Sequence, residues 1–458
     1  MNATVSERLI AFVREWTARG VPAPVLHEVN RLLINQLKAS VGAVDHPAVA
    51  ILRDWAVANG AGPASASILW SDAVVTPERA TVVNGALFEV LDFNDTYIPT
   101  FMHSVSGVLP AVLAAAEIGV HAVRPTGHDM LTALALGIEA ELACATILMP
   151  TGYYRGFVPG GLVGAIGGAV ACGLLWNLDD TQLRNAIGLT MCSAFGTYES
   201  VGSDALAYIM GATARSGYVA ADLARHGLNA PRTAFEGDKG QLASHSDEPA
   251  AKIDTVLATL GHEWRLFGNS YKTVPTETIT HAPIEAVLAI LGRSNGRVVE
   301  RMLFGVQHLV VKIADERRDR FGLPTTDQQA RFDLRFCVAA AWSRGRFTLE
   351  EMAEPAYTDP QILALRERID LVADPAHPTF EGASLSVTFT DGTTDSIVIP
   401  AFRGTPGNPM TDDELSGLFR VSAASRLAPE RIEAVLDAAW NLPSAADVVP
   451  LMTLLRGN

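Results

Sequence analysis

Apolar residues recur at three- and four-residue intervals through the first 265 or so positions, which predicts one helix after another. Ser6–Thr17 is amphipathic, and Val25–Val41 repeats the same spacing. Thr126 stands as an N-cap before the long apolar run "GHDMLTALALGIEAELACATILM". Asp179 lies three residues before Gln182, the spacing of a capping box. "ATARSGYVAADLARHGLNAP" reaches a helix stop at His226-Gly227. Val158–Trp176 is apolar on every side and about long enough to span a bilayer. It opens on a proline, is rich in glycine and stands alone among water-compatible helices, so it reads as a fully buried helix approached closely by its neighbours.

The texture changes after Tyr271. "THAPIEAVLAILGRSNG" predicts a helix, "VQHLVVKIAD" has β-branched character, and "QARFDLRFCVAAAWSRG" returns to helix. "SLSVTFTDGTTDSIVIPAF" predicts a hairpin turning at Asp391-Gly392. The tail from "TDDELSGLFRVSAA" is helical again. A helical block, an α+β insert and a returning helical tail imply a mainly α protein. The expected division is a large all-α domain over residues 1–267 and 403–458, with a smaller α+β lid domain over 268–402.

Composition narrows the class. The chain is 48% hydrophobic and 19% charged, enough apolar material for a large core. With 35 Lys and Arg against 50 Asp and Glu, its net charge is −15, which argues against nucleic-acid and anionic-membrane partners. Cys144, Cys172, Cys192 and Cys337 show no metal spacing, which fits free thiols in a reducing cytoplasm. The first residues lack a signal-peptide pattern. Lysine is scarce, occurring only at 38, 239, 252, 272 and 312, so a lysine inside an apolar stretch stands out.

Familiar chemical signatures are missing: no P-loop, no G-x-G-x-x-G after a strand, no H-E-x-x-H and no G-x-S-x-G. What remains is "EVLDFNDTYIPTFMHS", where an apolar helix runs into Asp92, Asp95, Thr96 and His103. At i, i+3 and i+4, the two acids and the threonine would share a helical face. Two readings stand side by side: a solvated helix end, or buried carboxylates and an imidazole held for proton transfer. A second stretch, "GNSYKTVPTETITHAPIEA", places Lys272 before a Pro-containing turn and His281 at the start of a helix.

In their order along the chain, these blocks resemble the MmgE/PrpD family. The resemblance rests on "LDFNDTY…HSVSGVLPAVLAAAE", "GFVPGGLVGAIGGAVA", "VGSDALAYIMGATARSGYVAADLARHGLNAP", "YKTVPTETITHAPIEAV" and "TFTDGTTDSIVIPAFRGTPGNPMT". It implies a helical domain with an α+β lid, a homodimer, an active site without metal or cofactor, and a small carboxylate substrate. By position, Asp92, Asp95 and His103 fall on the family's acidic and His residues, and Lys272 and His281 open and close the lid motif. The implied roles make His103 the principal acid or base, Asp92 or Asp95 its orienting partner and Lys272 the stabiliser of negative charge or a proton donor. Thr96, His281 and Glu277 would position substrate.

Three departures stand out. Phe157-Val158-Pro159-Gly160 lacks the family's His, Leu206 and Ile209 replace a Lys-x-x-His, and Glu277 stands where Cys or His is usual. The expected activity is therefore a dehydratase-type lyase acting next to a carboxylate of a small hydroxy, amino or imino acid other than 2-methylcitrate. An epimerase of an iminodisuccinate-like compound and a catalytically retired binding paralogue are the competing readings.

Overall fold

A computed structural model describes residues 3–58, 60, 62–119 and 124–457. The fold is mainly α, its largest sheet has four strands, and its chain divides into two compact units. The first comprises residues 1–200, 205–269 and 411–458, and the second comprises 201–204 and 270–410.

Helices of the first unit include α1 (Val5–Arg19), α2 (Ala23–Ala43), α3 (Pro77–Glu89), α4 (Leu109–Ile118), α5 (Gly127–Leu148), α6 (Pro159–Leu175), α7 (Asp180–Thr190) and α8 (Ala205–Arg225). The expected capping boxes form at Thr126/Asp129 and Asp179/Gln182, each satisfying two otherwise orphaned amides. α6 is buried along nearly its whole length. α5 is long and apolar enough to cross a membrane, and it too is buried within the unit. A Cβ on Gly85 would meet Gly211 Cα at 2.6 Å, so the α3–α8 crossing needs glycine at both positions. That contact sets α8, which carries Ile209 and Met210, directly against α3, whose end opens the acidic loop.

In the second unit, β1 (Val299–Val306) pairs in parallel with β2 (Ile369–Ala373) and antiparallel with β3 (Ala383–Phe389), which pairs with β4 (Thr394–Ile399). The β3–β4 hairpin turns at the expected Asp391-Gly392, with Gly392 at φ +79°. Helices α9 (His281–Leu291), α10 (His308–Phe321) and α11 (Leu334–Arg344) belong to the same unit. α10 corrects the β-branched reading of "VQHLVVKIAD". Gln307 caps it, and Leu309, Val310, Ile313, Ala314 and Arg317 bury a helical stripe that overrides local strand preference. The chain then re-enters the first unit as α12 (Asp412–Ala423) and α13 (Pro429–Trp440).

Candidate active site

The loop after α3 is not a helical face. α3 ends at Glu89, and Asp92 adopts a left-handed conformation at φ +46° that turns the chain into the short strand Asp95–Tyr97. Asp is among the few residues that tolerate this region. The reversal replaces the expected i, i+3, i+4 alignment with two separate polar networks.

The first network holds His103. Its Nδ1 lies 2.7 Å from Asn94 Oδ1, and Asn94 Nδ2 donates to Glu89 Oε2 at 2.6 Å and to Ser106 Oγ at 2.7 Å. An ionised Glu89 carboxylate only accepts, so the amide's NH2 faces Glu89 and its oxygen faces the imidazole. Nδ1 of a neutral His103 therefore carries the proton, and Nε2 carries the lone pair. Glu89 Oε1 lies 3.6 Å from Nδ1, and Asp92 Oδ1 lies 3.8 Å from Nε2. The His103 side chain is 22% exposed, whereas those of Glu89 and Asp92 are 3% and 5% exposed, so only the imidazole opens outward.

The second network holds Asp95. Gln36 Nε2 donates to Oδ1 at 2.6 Å, and the Ser104 amide and hydroxyl donate to Oδ2 at 3.0 and 2.7 Å. Both oxygens are thus occupied away from the imidazole, and Asn94 rather than Asp95 fixes the His103 ring. Burial nonetheless lifts the Asp95 carboxyl above its usual range, against the pull of the Ser104 hydrogen bonds. On α5, Glu141 is fully buried with no hydrogen-bond partner among the described residues. Burial first, and the Asp95 charge second, push Glu141 well above the carboxylate range. Burial also lifts Glu139 to about 7 despite its 3.0 Å ion pair with Arg265. Thr96 is buried in the short strand that follows Asp95, with 5% of its surface exposed.

Within the second unit, Lys272 is fully buried. Its segment is fixed by the Tyr271 amide, which donates to Gly404 O at 2.8 Å. Gly404 sits at φ +107°, and a Cβ there would lie 2.1 Å from Tyr271 O, so no side chain fits this approach. His281 is buried at the start of α9, with Nε2 3.3 Å from Thr276 O and its ring 5.0 Å from that of Phe402. Glu277 is gripped by both terminal nitrogens of Arg317, one at 2.7 Å. Its charge is already matched, which leaves it less free to pair a substrate amine than its position in the sequence suggests.

Val158 and Ile209 are buried in one hydrophobic cluster with Met210, and Phe195 and Leu206 pack against it. Thus Val158, Leu206 and Ile209, where the resemblance led to an expectation of polar groups, meet in space. A Cβ on Gly107, just beyond His103, would lie 3.4 Å from Met210 Cε, so the cluster abuts the segment that follows the imidazole. Sequence reasoning missed Glu89 and Asn94. Both lie inside the quoted acidic stretch, but their partnership depends on the chain reversal at Asp92. Among the described residues no group of three or more His, Cys, Asp or Glu side chains is arranged to hold a metal ion.

Comparison with known proteins places this geometry in context. The MmgE/PrpD N-terminal domain model matches residues 7–254, and the C-terminal domain model matches residues 274–442. The chain is 25% identical over 406 residues to human cis-aconitate decarboxylase, covering 85% of this chain and 82% of the relative. It is 24% identical over 477 residues to the cis-aconitate decarboxylase-like protein oryM of Aspergillus oryzae, covering 100% of this chain and 98% of that one. It is 22% identical over 442 residues to 2-methylcitrate dehydratase of Cupriavidus necator, with coverage of 89% and 87%. With both domain models matched in order across most of its length, the chain belongs to the MmgE/PrpD family.

Proposed function

We propose that this protein is a lyase that removes a proton next to a carboxylate of a small carboxylic acid and then expels a β-substituent. Relatives named as decarboxylases and a dehydratase support this reaction class. The observation that carries it is the Glu89–Asn94–His103 chain, which holds Nδ1 of a partly exposed imidazole and leaves Nε2 as the base. Nε2 takes the carbon-bound proton, and the C–H electron pair moves into the carboxylate as an enediolate. The pair then returns to form the alkene as the β-group leaves with a proton. Lys272 is the proposed cation for the developing negative charge.

The proposed substrate is not 2-methylcitrate. Val158, Leu206 and Ile209 form an apolar cluster where the resemblance implies polar or cationic groups. Each charge-assisted hydrogen bond that such groups would have made is worth roughly 1.5–3 kcal/mol of hold on a carboxylate arm. A hydroxy-, amino- or imino-acid with fewer carboxylates fits that wall better.

The test is incubation of the purified protein with a panel of such acids in D2O, followed by proton NMR. Alkene signals, with loss of the signal from the proton next to the carboxylate, are the expected result. Inversion or exchange without an alkene would replace the lyase by an epimerase. Strong turnover of 2-methylcitrate would overturn the substrate reading.

A further inference from the structure

A small cleft at the C-terminal end of α2 is lined by Trp70, Leu427 and three arginines, Arg426, Arg431 and Arg456. All of these residues belong to the first unit. The cleft has a volume of about 90 Å³, the share of liquid taken by about three waters, and so the scale of one tetrahedral oxyanion. Three guanidiniums around so small a space repel one another, which favours an anion among them.

The three arginines are used differently. Arg431 serves a helix end: its Nη2 donates to Leu454 O at 3.0 Å and Gly457 O at 3.2 Å, at and beyond the last residue of the helix Val449–Leu454. Arg456 donates from Nε to Ser67 Oγ at 2.8 Å and from Nη2 to Glu117 Oε1 at 2.7 Å, and its Nη1 makes no hydrogen bond among the described residues. Arg426 has five N–H donors but one ionic partner among the described residues, Asp45, whose side chain is 83% exposed. An exposed, screened pair contributes little, while burial pushes the Arg426 guanidinium below its ordinary value. Asp72 comes close to Gly457 but does not line the cleft.

Trp70 forms the apolar wall in a left-handed conformation, φ +59°, that bulky side chains rarely adopt. Its amide donates to Leu455 O at 2.6 Å and its indole Nε1 to Ser40 Oγ at 2.8 Å, so the strain is held from both sides. Strained residues of this kind collect at ligand clamps.

We propose that this cleft binds a small tetrahedral oxyanion, a phosphate ion or the phosphate group of a metabolite, through the spare N–H groups of Arg426 and Arg456. The planar guanidinium fork matches phosphate oxygens two at a time, and the indole wall keeps water from screening the contact. The site is independent of the reaction proposed above.

The experiment is calorimetric titration of the whole chain with sodium phosphate in chloride buffer at constant ionic strength, repeated with glycerol 3-phosphate. Saturable binding is expected, weakened about ten- to a hundredfold in Arg426→Gln and in Arg456→Gln. Binding of both ligands would identify the source as a phosphate ester, and binding of phosphate alone as the free ion. No saturable binding of either ligand overturns the proposal, as does undiminished binding in either variant. Should a variant not fold, phenylglyoxal labelling of the wild-type protein, read by peptide mass spectrometry, decides the matter. Phosphate is expected to protect Arg426 and Arg456 while the exposed Arg301 labels equally with and without it. Unchanged labelling of Arg426 and Arg456 overturns the proposal.

Discussion

The loop from Glu89 to Ser106 and the cluster around Ile209 belong to the same unit, yet they treat polarity in opposite ways. In the loop, polar groups are buried and wired to one another: Glu89 to Asn94, Asn94 to His103, Gln36 and Ser104 to Asp95. In the cluster, Val158, Ile209, Met210, Phe195 and Leu206 contribute only apolar surface. The difference teaches that the two tasks of such a site are separable. Proton transfer depends on a hydrogen-bonded chain that tolerates no gaps. On the proposed function, recognition of the remote part of a substrate falls to the apolar cluster, where packing stands in place of charge.

The comparison breaks most sharply at His103. His103→Gln is expected to lower turnover by about 10²- to 10⁴-fold, as loss of a general base does, measured on whichever panel acid is converted. An activity near wild type would show that the loop's wiring serves structure alone. Asn94→Leu comes next. Losing the Oδ1 acceptor frees the ring's orientation at a cost of about 1–3 kcal/mol, or roughly one to two orders of magnitude in kcat. The substrate KM should change far less, since Asn94 faces the imidazole from inside.

Glu141 gives a third, pH-dependent effect. Its carboxyl is held above the usual range, first by burial and then by Asp95. Below the ordinary carboxyl range both folded and unfolded chains bind this proton. As pH rises above about 4.5 the unfolded chain releases it while the folded chain keeps it, so stability falls, by up to about 1.4 kcal/mol per unit, until the folded carboxyl ionises. Glu141→Gln should flatten this part of the stability-versus-pH curve measured by urea unfolding; a curve of unchanged slope would remove Glu141 from the account. The smallest effect belongs to the cluster: Ile209→Val deletes one methylene from a packed site and should cost about 0.5–1.5 kcal/mol in the same assay.

Much of the helical framework was legible, because capping boxes and helix stops act within a few residues of each other. Thr126/Asp129, Asp179/Gln182 and Gly227 show this, as does the hairpin turn at Asp391-Gly392. β1 and β2 were not legible. β1 lacks regular alternation of buried and exposed positions, so its strand character comes from pairing with distant segments, β2 among them. At the site, the residue types were visible but their pairing was not. Spacing put Asp92, Asp95 and Thr96 on one helical face, whereas the left-handed turn at Asp92 sends Asp95 to Gln36 on another helix. Asn94 went unnoticed because an amide gains its role only from what lies on either side of it. Lys38 was visible only as one of five scarce lysines, and its place against Phe93 depends on how α2 packs against the loop.

The tautomer of His103 decides whether the loop holds a base. Nitrogen-15 NMR of the histidine side chains, at a pH where the imidazole is neutral and with His103→Gln for assignment, reports which ring nitrogen carries the proton. The Asn94 contact predicts a protonated Nδ1 and a bare Nε2. A proton resident on Nε2 would contradict it, because the nitrogen not held by Asn94 would then be unable to act as a base.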